Sequence, residues 1–134
     1  MAAIFTHRLD VRFRDCDPLG HANHAVYLTY LEQARLAHWR ALWGFGDAAA
    51  ASRPGVILAR AEVDYVQPVR FGDIVEVRIF LAAVGRTSFT YEYEIVDDGG
   101  GTVARARSVQ VMYDYAAARP VPIPEDIRAL FAAL

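Results

Sequence analysis

Residues 15–43 read DCDPLGHANHAVYLTYLEQARLAHWRALW, and the two halves of this stretch obey different rules. From Ala25 to Trp43 there is no Pro or Gly, and the run stops just before Gly44 and Gly46, the pattern of a long helix with a glycine terminator. On a helical wheel, Val26, Tyr27, Tyr30, Leu31, Ala34, Ala37, His38, Ala41 and Leu42 fall in one broad arc, with Thr29, Glu32, Gln33 and Arg40 opposite. So wide an apolar arc predicts a helix lying in the curve of a sheet. Residues 15–24 mix two acids, a lone cysteine, Pro18, Gly20 and two histidines, a carboxylate-bearing loop that feeds directly into the helix N-terminus.

Working outward, Arg8 to Arg14 alternates strictly, with Leu9, Val11 and Phe13 on one face and Arg8, Asp10, Arg12 and Arg14 on the other, which predicts a half-buried strand. Beyond an Ala, Pro and Gly-rich loop (44–55), four further strands are expected at 56–67, 73–83, 86–96 and 102–115. In two of them Val75, Val77, Ile79 and Leu81 oppose Glu76 and Arg78, and Phe89, Tyr91, Tyr93 and Ile95 oppose Thr90, Glu92 and Glu94. DDGGG (97–101) reads as a hairpin turn and PVRFGD (68–73) as another. In the last strand Arg105 and Arg107 share a parity with Val109, Val111 and Tyr113, so a bulge or an interface is expected there. PVPIPEDIRALFAAL supplies a proline stop and a short terminal helix. The expected architecture is α+β, a five-stranded antiparallel sheet wrapped around one long central helix, in a single domain over 1–134. One helix covers one sheet face, so the outer face and the strand edges are expected to be buried by another copy of the chain.

Composition narrows the function. Fourteen Lys and Arg against sixteen Asp and Glu give a net charge of −2, no field to hold nucleic acid or an anionic membrane. The opening MAAIFTHRLD lacks the form of a secretory signal and no apolar run reaches spanning length, so a cytoplasmic protein without membrane insertion is expected. Cys16 is the only cysteine, which rules out an internal disulfide and a cysteine-based zinc site. GxGxxG, GxxxxGK[ST], GxSxG and HExxH are all absent, disfavouring nucleotide-driven and serine-hydrolase chemistry.

Chemistry therefore concentrates in 15–24. Helix N-termini present unpaired backbone N–H groups and a partial positive charge, able to polarise a carbonyl or hold an oxyanion, and Asp17 lies just upstream. Each residue also has a plainer reading. Asp17 is an ordinary turn or capping residue by type, Asp15 a loop support, and Asn23 a natural N-cap. His21, His24 and Asp17 imitate a two-histidine, one-carboxylate metal site, but no further ligands are in view. Cys16 sits between acids, which disfavours a reactive thiolate. His38 reads as a hydrogen-bonded core histidine, and Glu32 as a polar-face residue pairing with Arg35 at i+3.

The same stretch resembles the signature of the 4-hydroxybenzoyl-CoA thioesterase-like hotdog family, roughly D-x-D-x-x-G-H-V-N-N-x-x-Y-x-x-Y-x-E-x-A-R. Matches fall at Asp15, Asp17, Gly20, His21, Asn23, Tyr27, Tyr30, Glu32, Ala34 and Arg35, with weaker likeness in DYVQPVRFGDIVEV and GRTSF. The resemblance implies a hotdog fold, a homodimer or homotetramer, and hydrolysis of an acyl-CoA thioester without metal or redox cofactor. It implies Asp17 as the catalytic carboxylate, with the backbone amides around Asn23 and His24 as oxyanion hole. Ala22 and His24 depart from the pattern's Val and second Asn; since an amide does the work at the second position, the oxyanion site is expected to survive the change. Tyr27, Ile57, Leu58 and Ala59 are candidate acyl-pocket walls, and Arg86, Thr87 and Ser88 candidate contacts for coenzyme A phosphates. The chemistry suits a chain with no triad, because a thiolate of pKa about 8.5 leaves without a strong general acid. Two rivals share the architecture: a hotdog enoyl-CoA hydratase, whose D-x-N-P-L-H is approached by DCDPLGH, and a non-catalytic acyl-CoA or acyl-carrier binding module.

Overall fold

The computed structural model describes residues 2–134. Strand β1 (Phe5–Asp10) is followed by a 3-10 turn (Phe13–Asp15), helix α1 (His24–Trp43), a second 3-10 turn (Ala48–Ala50), β2 (Gly55–Tyr65), β3 (Ile74–Val84), β4 (Ser88–Asp97), β5 (Thr102–Asp114), β6 (Arg119–Pro120) and α2 (Glu125–Ala132). The strands pair antiparallel in the order β1-β3-β4-β5-β2, and the two-residue β6 adds to the end of β5. The long strands curl around α1 in the hotdog arrangement, with the small β6 as an addition to the five strands expected.

Helix α1 begins where its chemistry allows. The Asn23 side chain accepts from the Ala25 amide, and Gly44 ends the helix in the left-handed conformation at φ 74°. Its buried stripe is Tyr27, Tyr30, Leu31, Ala34, Arg35, His38 and Trp39, rotated from the expected arc so that Ala41 is exposed. The rotation follows from two polar anchors. Trp39 Nε1 donates to the Tyr91 hydroxyl at 3.0 Å, and Arg35 donates to the Tyr93 hydroxyl at 3.3 Å, so Arg35 points into the core and does not pair with Glu32. Opposite the helix lie Val75, Val77 and Ile79 of β3 and Phe89, Tyr91, Tyr93 and Ile95 of β4, all buried. Burial of such side chains contributes about 1.5–3 kcal/mol each.

The bounds of the first strand are corrected. Strand β1 runs from Phe5 to Asp10, not Arg8 to Arg14, and Phe13 is 76% exposed in the turn that follows, stacked edge-on against Phe71. The turn forms because Asp15 reaches back to the Arg12 amide, which stops the extended run. In β5, Arg105, Arg107, Val109, Val111 and Tyr113 all face outward, while Ser108, Gln110 and Met112 face α1. Ser108 and Gln110 are tolerated there because they bond to one another and to the Tyr93 hydroxyl and the Phe89 carbonyl. β5 carries a bulge at Val103, where its register with β4 shifts between Ile95 and Val96, ahead of the arginines and without changing their parity with Val109, and a second irregularity lies in β2 between Leu58 and Arg60. On the convex face Arg78–Glu94 (3.7 Å), Arg107–Glu92 (3.1 Å) and Arg8–Glu76 (3.9 Å) tie neighbouring strands, beside the outward Val109, Val111 and Tyr113.

Candidate active site

The loop before α1 is held from both ends. Asp15, 2% exposed, receives the Arg12 amide (2.9 Å), the Arg12 guanidinium (2.9 Å) and the Tyr30 hydroxyl (2.8 Å) on its carboxylate, while its carbonyl accepts from the Asn23 amide (2.8 Å). Burial works against its charge, but the bonds from Arg12 and Tyr30 prevail and hold the carboxyl below the usual range. From the far side, the Ala22 amide donates to the Val69 carbonyl (2.8 Å). Asp15 is thus a structural staple that fixes where Asp17 sits.

Asp17 is partly exposed. One carboxylate oxygen accepts from the Leu19 amide (2.9 Å), the other from the Asn23 side-chain amide (2.9 Å). The Leu19 amide first, then Asn23, pulls its pKa below the ordinary carboxylate value. The tight turn Asp17–Gly20 needs Gly20 at φ 90°, a conformation that other residues rarely adopt. Asn23 therefore works at both ends of its side chain, capping α1 with its oxygen and orienting Asp17 with its nitrogen.

The first amides of α1 are not equivalent. Asn23, Ala25 and Val26 donate to Asp15, the Asn23 side chain and the Asn23 carbonyl respectively, whereas among the described residues the His24 amide meets no acceptor. His24 is thus the amide free to bind an incoming oxygen, at the positive end of a 20-residue helix. Asp17, His21, His24 and Tyr27 line one side of a pocket of about 330 Å³, and Tyr65, Val66, Gln67 and Pro68 line the other.

Residues 11–131 match the thioesterase-like superfamily. The chain belongs to this family. Among its relatives, the acyl-CoA thioester hydrolase YbgC of Escherichia coli strain CFT073 is 26% identical over 96% of both chains. The 1,4-dihydroxy-2-naphthoyl-CoA hydrolase of Synechococcus elongatus is 28% identical over 88% of both. A crystal structure of a thioesterase from Thermus thermophilus complexed with coenzyme A and Zn superposes with a TM-score of 0.84 at 36% identity, covering 98% of this chain and 94% of that one.

Within this thioesterase-like chain, Asp17, Asn23, His24 and Tyr27 come together, but the other candidate residues do not join them. Ile57, Leu58 and Ala59 occupy the opposite half of β2, Ile57 outward, Leu58 inward and Ala59 at the bulge. Arg86, Thr87 and Ser88 lie at the β3–β4 turn, which is fastened to the C-terminal segment by the Ile123 amide to the Arg86 carbonyl (2.9 Å) and to β5 by the Met112 amide to the Thr87 carbonyl (2.9 Å). That turn is at the far end of β3 from Asp17, and the eleven residues of the strand span about 33 Å.

The remaining chemically active side chains stand elsewhere. His38 is a core residue between Phe5 and Tyr91, yet its Nε2 has no hydrogen-bond partner, and burial lowers its pKa to about 4. Glu32 is exposed on α1, and the Cys16 thiol lies 3.8 Å from the Arg12 carbonyl. Among the described residues no three His, Cys, Asp or Glu side chains gather in a metal-holding group, and no helix is long and apolar enough to cross a membrane. Tyr65 to Pro68, which complete the pocket, carry no functional signal in the sequence beyond the faint family likeness of DYVQPVRFGD. Only the fold brings the end of β2 against the start of α1.

Proposed function

We propose that residues 1–134 act as a single hotdog thioesterase domain that hydrolyses an acyl-CoA thioester to the free acid and coenzyme A. The observation that carries this reading is the pairing, in one pocket, of an oriented, ionised Asp17 with the free His24 amide. The thioester carbonyl sits with its oxygen toward the His24 N–H and its carbon toward Asp17. Either Asp17 attacks the carbon, coenzyme A thiolate leaves, and water hydrolyses the resulting mixed anhydride; or Asp17 takes a proton from the water that attacks. In both routes negative charge on the carbonyl oxygen is met by the amide and the helix dipole. The lowered pKa keeps Asp17 charged through neutral pH and makes it a weak base, which favours direct attack.

The working unit is a homodimer, or a homotetramer built from it. Strand β2 is an open edge whose core-side Leu58 and Tyr65 are 48% and 49% exposed. Antiparallel pairing of two β2 strands about a twofold near their middle lays Tyr65 of one copy beside the Ile57 region of the other. The second copy's Ile57–Ala59 then approach the acyl pocket, and its Arg86–Ser88 turn moves to the Asp17 end, where the phosphates of coenzyme A would be held. This resolves the separation of those residues within one chain.

The test follows thiol release over a panel of acyl-CoAs, benzoyl and phenylacetyl through palmitoyl, with Asp17→Asn beside the unaltered protein. Release that falls by about a thousandfold or more in a folded, substrate-binding variant is the expected result. Water addition to an enoyl-CoA would point to the hydratase, and saturable binding without turnover to the binding module.

A further inference from the structure

The His24 amide is bracketed on one side by Asn23, whose own amide and side-chain oxygen are both engaged. On the other side it is bracketed from across the fold. The hydroxyl of Tyr65, the last residue of edge strand β2, donates to the His24 backbone carbonyl at 2.8 Å. The Tyr65 ring stands edge-on to Tyr27 (5.0 Å between centroids) and to the His24 imidazole (6.4 Å). Satisfying polar groups does not account for this bond. The His24 carbonyl, at the first position of α1, has the intrahelical amide four residues on as its regular donor. What the bond adds is geometric: it ties the one residue of the helix start that bears a free amide to the strand forming the opposite wall of the pocket.

From this we infer that Tyr65 is a positioning residue for the oxyanion donor, its hydroxyl fixing the direction of the His24 N–H through the backbone of His24. The inference rests on the thioesterase reading. An oxyanion donor is effective over a narrow range, about 2.7–3.1 Å from where the charged oxygen will be, and a small displacement is felt in the transition state before it is felt in substrate binding. The Tyr65 donor is spent on the His24 carbonyl, although Tyr65 lines the pocket.

Tyr65→Phe in the full chain keeps the ring and removes the bond. The expected result is a kcat lower by about tenfold with KM within about threefold. The apparent pKa of the acidic limb stays in place, because Tyr65 does not touch Asp17. Two inhibitors separate positioning from loss of packing. A coenzyme A-linked trifluoromethyl ketone, which mimics the tetrahedral oxyanion, should lose about tenfold in affinity, while an S-alkyl coenzyme A thioether with no carbonyl should bind unchanged. An unaltered kcat, a change confined to KM, or equal loss for both inhibitors overturns the inference while leaving the thioesterase reading intact. Absence of turnover by the unaltered protein overturns that reading and this inference with it.

Discussion

Asn23 shows how much one side chain does at this site. Its carboxamide oxygen caps α1 and its nitrogen holds the Asp17 carboxylate, so Asn23→Ala removes both at once. Loss of the cap is expected to cost about 1 kcal/mol, measured by chemical denaturation. Loss of the bond to the charged form raises the Asp17 pKa, so the acidic limb of the kcat/KM profile moves to higher pH; a limb that stays put would mean that Asn23 does not act on Asp17. Asn23→Asp separates the roles, keeping the cap but placing a second carboxylate beside the first. These residues were legible in the sequence because they act over six positions, within reach of a motif. Tyr65 was not, since the whole of α1, a loop and the length of β2 separate it from His24 in the chain. Nor could spacing assign a partner to Arg35: the i+3 rule offers Glu32 but carries no information about which way the core lies.

At the scale of elements, periodicity located every long strand and α1, and missed where the competing groups are polar. Alternation overruns the end of β1 because Phe13 continues the pattern while Asp15 has already captured the Arg12 amide. Helix α1 is apolar over so much of its circumference that its buried stripe could not be centred from the sequence; Trp39 and Arg35, bonded to Tyr91 and Tyr93, decide it. The same bonds leave Arg35, 6% exposed, with a neutral hydroxyl as its hydrogen-bond partner and no carboxylate within salt-bridge distance among the described residues. A buried charge so weakly compensated contributes little net stability. Arg35→Met is therefore expected to leave unfolding free energy within about 1 kcal/mol of the unaltered chain, or to raise it. Tyr93→Phe, which strands Arg35 and strips a partner from Ser108, should cost about 1–3 kcal/mol. The reverse order in denaturant titrations would show that Arg35 is better compensated than its contacts indicate.

For the whole molecule, the decisive fact is that the candidate catalytic residues and the candidate phosphate-binding turn stand at opposite ends of one sheet. A single chain holding both functions on one substrate would need them adjacent, whereas a twofold through β2 makes them adjacent between copies. The convex face, laced by cross-strand ion pairs, competes poorly as an assembly surface, because those charges would have to be desolvated. Mixing two defective proteins tests the arrangement. Asp17→Asn should abolish turnover, and Arg86→Ala should raise KM. In a dimer of one of each, one site combines the intact Asp17 of the second protein with the intact Arg86 of the first, and the other site is doubly defective. Random reassortment of equal amounts makes half the dimers mixed, so about a quarter of the wild-type sites should reappear with unaltered KM. If both functions belonged to one chain, mixing would leave the low-KM activity at zero. Recovery of that activity, together with light scattering that shows a dimer at assay concentration, would assign each site to two copies; its absence from verified mixed dimers would return the phosphate contacts to residues near Asp17 on the same chain.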